Sequence, residues 1–438
     1  MRAPFVDSAL FKSYRFTTGC LFIFDEHRVD EIFGNAVIMP TLSKNFSDIL
    51  NLEDFAHKAK SHLPPTLFGY VSGGTEDCVT LRDNRAVFNE ISFLPRILQD
   101  VSKRSFRRRL FDQEYAAPFG IAPMGISALT AYRGDLVLAE AAATAQIPMI
   151  MSGSSLIRME EVASVAPSAW FQAYLPGERH RISVLIERIR NAGFGTLVIT
   201  VDTPVLANRE NNIRVGFKTP LSPSFRLLWE GATHPSWTFG SFIRTIFWHG
   251  LPHFENNYAE RSAPIISRNV ERDFAGREHL DWDEIRAIRR QWKGHLVLKG
   301  ILRADDARKA ASHGVDGIIV SNHGGRQLDG SPSPIRVLPA IKDAAGKMTV
   351  MADSGFRRGT DILKGLALGA DFVFIGRPFN YAAAIGGTDG VAHAIKLLFV
   401  ELSAAMGLLG INRLDDLNPE MLFLKPGQRS INDFVSRA

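Results

Sequence analysis

Two cysteines in 438 residues, Cys20 and Cys78, are too few for a disulfide framework, and neither stands in a metal-ligand spacing. A reducing compartment fits this usage, and no zinc or other metal site is expected. Charge of one sign is equally scarce. Lys and Arg number 51 against 46 Asp and Glu, leaving +5, without the single basic stripe that a nucleic-acid partner needs. Two short basic runs, 103–109 and 286–290, read as solvated faces. No apolar stretch approaches the ~20 residues of a membrane-spanning helix. That excludes a multi-span membrane protein and leaves surface attachment open. With 45% hydrophobic and 22% charged residues the chain is not disordered as a whole.

The N-terminal region also lacks a pattern. The apolar run at 20–24 is too short for a secretory segment, and Asp25 and Glu26 follow it. Residues 1–38 show no periodicity, whereas Met39 precedes Pro40, a capping-type Ser47 and a helical pattern over 49–59. The expectation is an extension over 1–38, disordered or outside the functional protein with Met39 as the start, ahead of one catalytic unit over 39–438.

What is present is alternation. From Pro118 onward short apolar runs alternate with amphipathic stretches, about eight times, the pattern of consecutive parallel βαβ units. Strands are expected at 119–123, 148–152, 170–174, 196–201, 296–299, 317–321, 349–352 and 372–375. Helices are expected at 135–145, 181–191, 304–313 and 359–368, the last two closed by Gly314 and Gly369. The fold class is therefore α/β, a single (β/α)8 TIM barrel with an N-terminal helical segment. A doubly wound open sheet would carry a glycine-rich phosphate fingerprint after its first strand, and Ala122-Pro123-Met124-Gly125 does not match one. After the fourth strand the pattern breaks from Pro204 to His279, far beyond an ordinary loop. Phe225, Leu227, Leu228, Trp229, Trp237 and Phe239 interleave there with basic residues, as do Phe242, Ile246, Phe247 and Trp248 beyond them. Such a segment is either a lid over the barrel or a membrane-interface element.

Polar residues collect at the expected C-terminal strand ends, where barrel active sites lie. The densest group is Ser321-Asn322-His323-Gly324-Gly325-Arg326. A histidine there suits proton transfer near neutrality, and an arginine three residues on offers a planar fork for a carboxylate or phosphate. Asp353-Ser354-Gly355-Phe356-Arg357 and Gly376-Arg377 occupy the usual phosphate corner of such barrels.

These two segments, Ser321 to Asp329, and Thr200-Val201-Asp202 followed by Asn208-Arg209-Glu210 resemble the FMN-dependent 2-hydroxy-acid oxidases and dehydrogenases, from about Phe46 to Phe434. That family includes glycolate oxidase, L-lactate dehydrogenase and mandelate dehydrogenase, and Thr233-His234-Pro235-Ser236-Trp237 looks closest to the bacterial L-lactate dehydrogenases. The resemblance implies FMN as cofactor and oxidation of an L-2-hydroxy acid to the 2-oxo acid. His323 would be the base, removing either the Cα proton or the hydroxyl proton, and Asp202 would stabilise it as imidazolium. Arg326, Tyr70 and Arg209 would hold the substrate carboxylate, with Tyr174 beside its hydroxyl. Lys299 would stand at the N1 and O2 edge of the flavin. Pro123, Met124 and Gly125 would offer backbone contacts to the ring, and Ser152, Gln172, Thr200 and Ser321 polar ones. The phosphate would sit on backbone groups from Asp353 through Gly355 to Arg357, and on Gly376 and Arg377. The resemblance also implies a homo-oligomer, a tetramer. The reoxidant is a quinone or other external acceptor, or alternatively O2 with release of H2O2. The site is then cytoplasmic, in solution or at the inner face of the membrane. Two other classes compete: a different FMN barrel such as the FMN-dependent isopentenyl diphosphate isomerases, and a catalytically dead barrel serving as a scaffold. The His323 and Arg326 pair disfavours the first, and six intact polar groups at separate strand ends disfavour the second.

Overall fold

Runs of three to seven residues, buried along most of their length, form eight parallel strands: β1 (Phe119–Ile121), β2 (Ile150–Ser152), β3 (Trp170–Ala173), β4 (Thr196–Thr200), β5 (His295–Ile301), β6 (Gly317–Val320), β7 (Thr349–Ala352) and β8 (Phe372–Ile375). Strands buried on both faces read as unbroken apolar runs, which is why these were visible in the sequence. In this computed structural model, residues 46–217, 224–262, 264–265 and 277–424 are described. The expected extension over 1–38 lies outside them.

From β2 to β8 each strand pairs with the next, and β8 pairs with β1. The remaining seam is closed by a parallel bridge from Ile121 to Met149, with the Ile121 N–H on the Pro148 carbonyl at 2.9 Å. The barrel interior is filled by Ile150, Trp170, Val198, Val297, Ile319 and Met351, with Phe374 among them. An antiparallel hairpin, Arg108–Leu110 with Gln113–Tyr115, plugs the N-terminal mouth. Its Phe111 packs on Trp170 at 5.6 Å and on His295, the first residue of β5, at 4.4 Å. The C-terminal mouth is therefore the end left for chemistry.

Before the barrel come α1 (Leu52–His62), α2 (Pro65–Ser72) and α3 (Val79–Glu90). Around it run α4 (Gly134–Thr144), α5 (Met159–Val165), α6 (Arg179–Asn191), then α7 (Phe225–Thr233) and α8 (Arg244–His249) within the insertion. The circuit continues with α9 (Trp282–Gln291), α10 (Ala304–Ser312), α11 (Pro334–Ala344), α12 (Gly359–Ala367) and α13 (Arg377–Leu409). Gly314 and Gly369, at φ +72 and +108°, follow α10 and α12 as expected.

Four expectations are corrected. Helix α1 begins three residues later than the pattern indicated, because Asn51 rather than Ser47 caps it: Asn51 Oδ1 accepts from the N–H groups of Glu53 and Asp54 while Asp54 Oδ2 accepts from the Asn51 N–H. The strands β1, β3, β4 and β6 stop one or two residues short, at the point where the chain turns into the mouth. Strand β5 instead runs on past a register shift between Lys299 and Ile301. Finally, α13 spans 33 residues across a non-helical kink at Gly387 (φ +60°), with a stretch of mean hydropathy 1.6, long and apolar enough to cross a membrane by length and composition. Most of that stretch, 61%, is buried inside the fold. Its apolarity is that of a core helix packed on α1 and α4.

The insertion divides between the two readings offered for it. Trp237 is buried, donating its indole N–H to the Leu129 carbonyl at 2.9 Å and stacking on Phe242. Glu230 on α7 is also buried and accepts the Thr66 N–H of α2 at 3.0 Å. These contacts seat the segment on the barrel. Phe225, Leu228, Trp229, Phe239, Phe247 and Trp248 of the same segment are exposed.

Candidate active site

His323 lies in the loop after β6 with φ +58°, in the left-handed region, and its backbone N–H donates to Ser321 Oγ at 3.0 Å. The turn aims the imidazole across the mouth at the residue just past β4: His323 Nδ1 stands 3.0 Å from Asp202 Oδ1. Its other nitrogen, Nε2, is 3.4 Å from the Tyr174 hydroxyl beyond β3. Burial pulls the His323 pKa below its usual value; Asp202 opposes this, and Lys299 and Arg209 add to the lowering. Burial disfavours the Asp202 carboxylate, yet the adjacent His323 and Lys299 hold its pKa below the usual range. Near neutrality the pair is thus a neutral imidazole on an ionised carboxylate. The Nδ1 proton then points at Asp202, which leaves the Nε2 lone pair toward the mouth. Gln327 fixes the aspartate further by donating to its backbone carbonyl at 2.8 Å.

Two cations stand beside this pair. Arg326 donates through Nη1 to the carbonyls of Tyr70 at 2.6 Å and Gly73 at 3.0 Å, and its guanidinium carbon lies 4.8 Å from the Tyr70 ring centre. Arg209 donates to the Arg326 carbonyl at 3.0 Å and to Gln327 Oε1 at 2.8 Å. Burial, then the neighbouring Arg326, pulls the Arg209 pKa down to about 10. Two half-buried guanidinium groups near a neutral base form a site for an anion that must also give up a proton. Tyr70 is braced by Phe217, whose ring stacks on it at 4.1 Å.

The opposite part of the mouth is a row of polar groups on consecutive strand ends. Ser152 donates to Gln172 Oε1 at 3.1 Å, and Thr200 is in register with Lys299. Among the described residues, Gln172 Nε2 and Thr200 Oγ1 are buried without a hydrogen-bond partner. Orphaned buried donors are costly, and they fit a polar ring edge with acceptors. Lys299 Nζ donates to Ser321 Oγ at 2.8 Å and stands 3.0 Å from Asp353 Oδ2. Burial works against its charge, but Asp353 and Asp202 outweigh it and raise the pKa. Beyond β1, Met124 and Gly125 follow Pro123; Met124 offers its carbonyl to Ser127 Oγ at 3.1 Å. A methyl group on Gly125 would stand 3.1 Å from Ser154 Cβ and 3.9 Å from the Tyr70 hydroxyl.

In the expected phosphate corner two backbone donors are already engaged. The Arg357 N–H donates to Asp361 Oδ2 at 2.9 Å and its Nη1 to the Phe356 carbonyl at 2.8 Å, and the Asp353 N–H serves the sheet through the Val320 carbonyl. Those two backbone N–H groups serve the fold, and the backbone of 354–356, the rest of the Arg357 guanidinium and residues 376–377 remain for the expected phosphate contacts. Gly355, at φ +94°, approaches α3 so closely that a Cβ would lie 2.0 Å from the Asn84 carbonyl. Gly376 is the residue before α13, and Arg377, its first, donates to the carbonyls of Val71, Gly73 and Gly324 at 2.8–2.9 Å. Burial, then Arg326, pulls its pKa down to about 9.

Sequence reasoning missed three participants. Arg277, buried at the end of the insertion, sits over the Tyr174 ring at 5.5 Å; it belongs to no periodic element. Gly300, at φ +112°, makes the β5 irregularity, and a Cβ there would strike Asp202 at 2.7 Å. A glycine directly after Lys299 was the available signal. Asn84 and Asn322 exchange buried amide hydrogen bonds at 2.9 and 2.7 Å, tying α3 to the His323 loop.

A family model described as FMN-dependent dehydrogenase matches residues 59–424. The L-lactate dehydrogenase of Chromohalobacter salexigens is 38% identical over 388 residues, covering 87% of this chain and 97% of that protein. That of Pseudomonas entomophila is 38% identical over 385 residues, covering 85% and 98%. Among solved structures, a monotopic membrane protein, (S)-mandelate dehydrogenase, aligns with TM-score 0.78 at 33% identity over 86% of this chain and 99% of its own. A mandelate oxidase variant aligns with TM-score 0.71 at 31% identity over 87% and 99%.

Proposed function

This chain belongs to the FMN-dependent dehydrogenase family, and from that premise we propose that it oxidises an L-2-hydroxy acid of lactate type to the 2-oxo acid and passes the electrons to an external acceptor such as a quinone. The observation that carries the reading is the neutral His323 on ionised Asp202 with Arg326 and Arg209 alongside.

Arg326 and Arg209 take the substrate carboxylate, using guanidinium N–H groups beyond those already bonded to carbonyls. Tyr174, 3.4 Å from His323 Nε2, orients the hydroxyl that Nε2 faces. His323 takes one proton from the substrate at Nε2, and the developing imidazolium is stabilised by Asp202 at Nδ1. Lys299, held charged by Asp353, supplies a fixed positive charge at the polar ring edge, where Gln172 Nε2 and Thr200 Oγ1 are the matching donors. Bound FMN supplies the two-electron sink. The glycine at 125, where the oxidases often carry alanine, favours an acceptor other than O2.

The exposed aromatic residues of the insertion form the surface that meets a membrane, and Phe247 and Trp248 are its most accessible pair on α8. Anaerobic bleaching of the flavin absorbance with a panel of 2-hydroxy acids of both hands, followed by O2 or a soluble quinone, tests substrate and acceptor in one series. Bleaching by L-lactate or a near relative and reoxidation by quinone are expected. Absence of bleaching by every 2-hydroxy acid overturns the reading. Loss of vesicle partition in Phe247→Ser/Trp248→Ser tests the membrane surface.

A further inference from the structure

A cavity of about 510 Å³, sharing no lining residue with the site above, lies between the start of α4, the loop entering α5 and the residues following α8. Its apolar floor is Ala128, Leu156 and Ile157, with Leu251 and Pro252 opposite. Its walls carry four arginines, Arg133, Arg158, Arg188 and Arg261. Among the described residues these four meet three carboxylates. Glu161 pairs with Arg133, Glu255 with Arg261 at 2.8 Å, and Glu160 with Arg188 through both oxygens at 2.8 and 3.0 Å. Arg158 is left with only a 3.5 Å approach to the already bidentate Glu160, and its side chain is 61% exposed. His249 completes the wall, 3.0 Å from the Tyr132 hydroxyl and 3.3 Å from Arg133 Nη1. Burial and then Arg133 lower its pKa, so it accepts a hydrogen bond there and adds no charge near neutrality.

Among the described residues the cavity therefore carries an excess of one positive charge, with spare guanidinium donors and an apolar floor. Its rim is continuous with the exposed apolar surface: Thr245 and His249, one helical turn apart on α8, line it, whereas Phe247 and Trp248 of the same helix are exposed. A ligand suited to both features has a singly charged anionic head and an apolar tail. We propose that this cavity binds the phosphodiester headgroup of an anionic phospholipid, with Arg158 and Arg261 as the principal contacts and the acyl chains leaving along Phe247 and Trp248. This rests on the membrane-surface reading above, and gives it a lipid preference. A uniform basic face would attract anionic vesicles diffusely, whereas a walled cavity with one surplus cation predicts saturable, one-to-one binding.

The test uses the full-length, FMN-loaded protein and three probes in titration calorimetry: short-chain phosphatidylglycerol below its micelle concentration, the matching phosphatidylcholine, and inorganic phosphate. Saturable one-to-one binding of phosphatidylglycerol, at least tenfold tighter than either other probe, is expected. In Arg158→Gln/Arg261→Gln that affinity falls at least tenfold, and vesicles containing phosphatidylglycerol lose their advantage over pure phosphatidylcholine vesicles. Flavin bleaching by substrate stays unchanged, which reports an intact fold. Phe247→Ser/Trp248→Ser, by contrast, weakens binding to both kinds of vesicle and leaves the short-chain affinity intact. If that variant leaves partition unaltered while phosphatidylglycerol still binds one to one, the aromatic membrane surface fails and the headgroup cavity stands. Equal affinity for phosphate and phosphatidylglycerol, no saturable binding, or an unaltered lipid preference in the arginine variant overturns the proposal.

Discussion

Replacing Asp202 by Asn removes one charge and almost no volume at the carboxylate 3.0 Å from His323 Nδ1. In the ground state the imidazole is neutral, so substrate binding loses little. In the transition state it gains a proton, and the charge centres of the pair lie roughly 4 Å apart. At an effective dielectric of ~20 that attraction is worth roughly 4 kcal/mol, about three powers of ten in rate. The amide can still accept from Nδ1, so the expected loss in the rate of flavin reduction is about 10²- to 10³-fold. Anaerobic stopped-flow reduction of the bound flavin measures it directly. The same experiment over pH carries a signed test. Asp202 raises the His323 pKa against the lowering by burial, so its removal lets that pKa fall further. The active form is the neutral imidazole, whose activity is lost as pH falls through the pKa. The acid limb of the profile therefore moves to lower pH in the variant while the plateau drops. A loss below about fivefold, or an acid limb that stays in place or moves upward, refutes the reasoning.

Other perturbations have distinct readouts. His323→Ala keeps FMN, since no described contact of its imidazole serves the polar ring edge, and loses flavin reduction by about 10²-fold or more; near-normal reduction contradicts its role as base. Lys299→Met leaves the buried Asp353 without the cation that now stands 3.0 Å from it, with the Ser354 hydroxyl as its remaining side-chain donor. FMN retention on gel filtration should fall, and the midpoint potential of the flavin that remains should shift negative by ~30 mV for each tenfold change in equilibrium constant. Gly355→Ala forces a Cβ to within 2.0 Å of the Asn84 carbonyl in a positive-φ residue, and a loss of about 3 kcal/mol or more in urea unfolding is expected. Asp135, buried at the start of α4, has its carboxyl pushed up to about 7 by burial, with Ser155 opposing. Its folded pKa lies above the unfolded value, so stability declines as pH rises from about 4 to 7. Asp135→Asn should therefore raise the thermal midpoint clearly more at pH 8 than at pH 5; equal shifts at both pH values contradict the assignment.

The barrel was legible because its strands are buried on both faces. Thr349–Ala352 and Phe372–Ile375 match their expected limits in full, since apolar runs between turn signals have no other stable use. The clustering of polar residues at strand ends was legible for the same topological reason: eight consecutive βα units deliver those ends to one mouth. The Arg357 N–H was not. Its use by Asp361 depends on the first turn of α12, a local hydrogen-bond choice that the motif does not encode. Trp237 and Trp248 look alike in sequence and end in opposite environments, one buried against Leu129 and the other exposed.

By itself, then, the sequence determined what covalent order and short-range periodicity determine: strand and helix succession, the family resemblance, and which residue types stand at the mouth. Only the tertiary structure decided the distances. The approach of His323 to Asp202 across 121 positions depends on the left-handed turn at 323 and the room left by Gly300. The four-arginine cavity joins segments from Ala128 to Arg261 that share no motif. Pairings between residues far apart in the chain follow from packing, because side chains of separate elements compete for the same space and the same hydrogen bonds, and no local pattern records which of them wins.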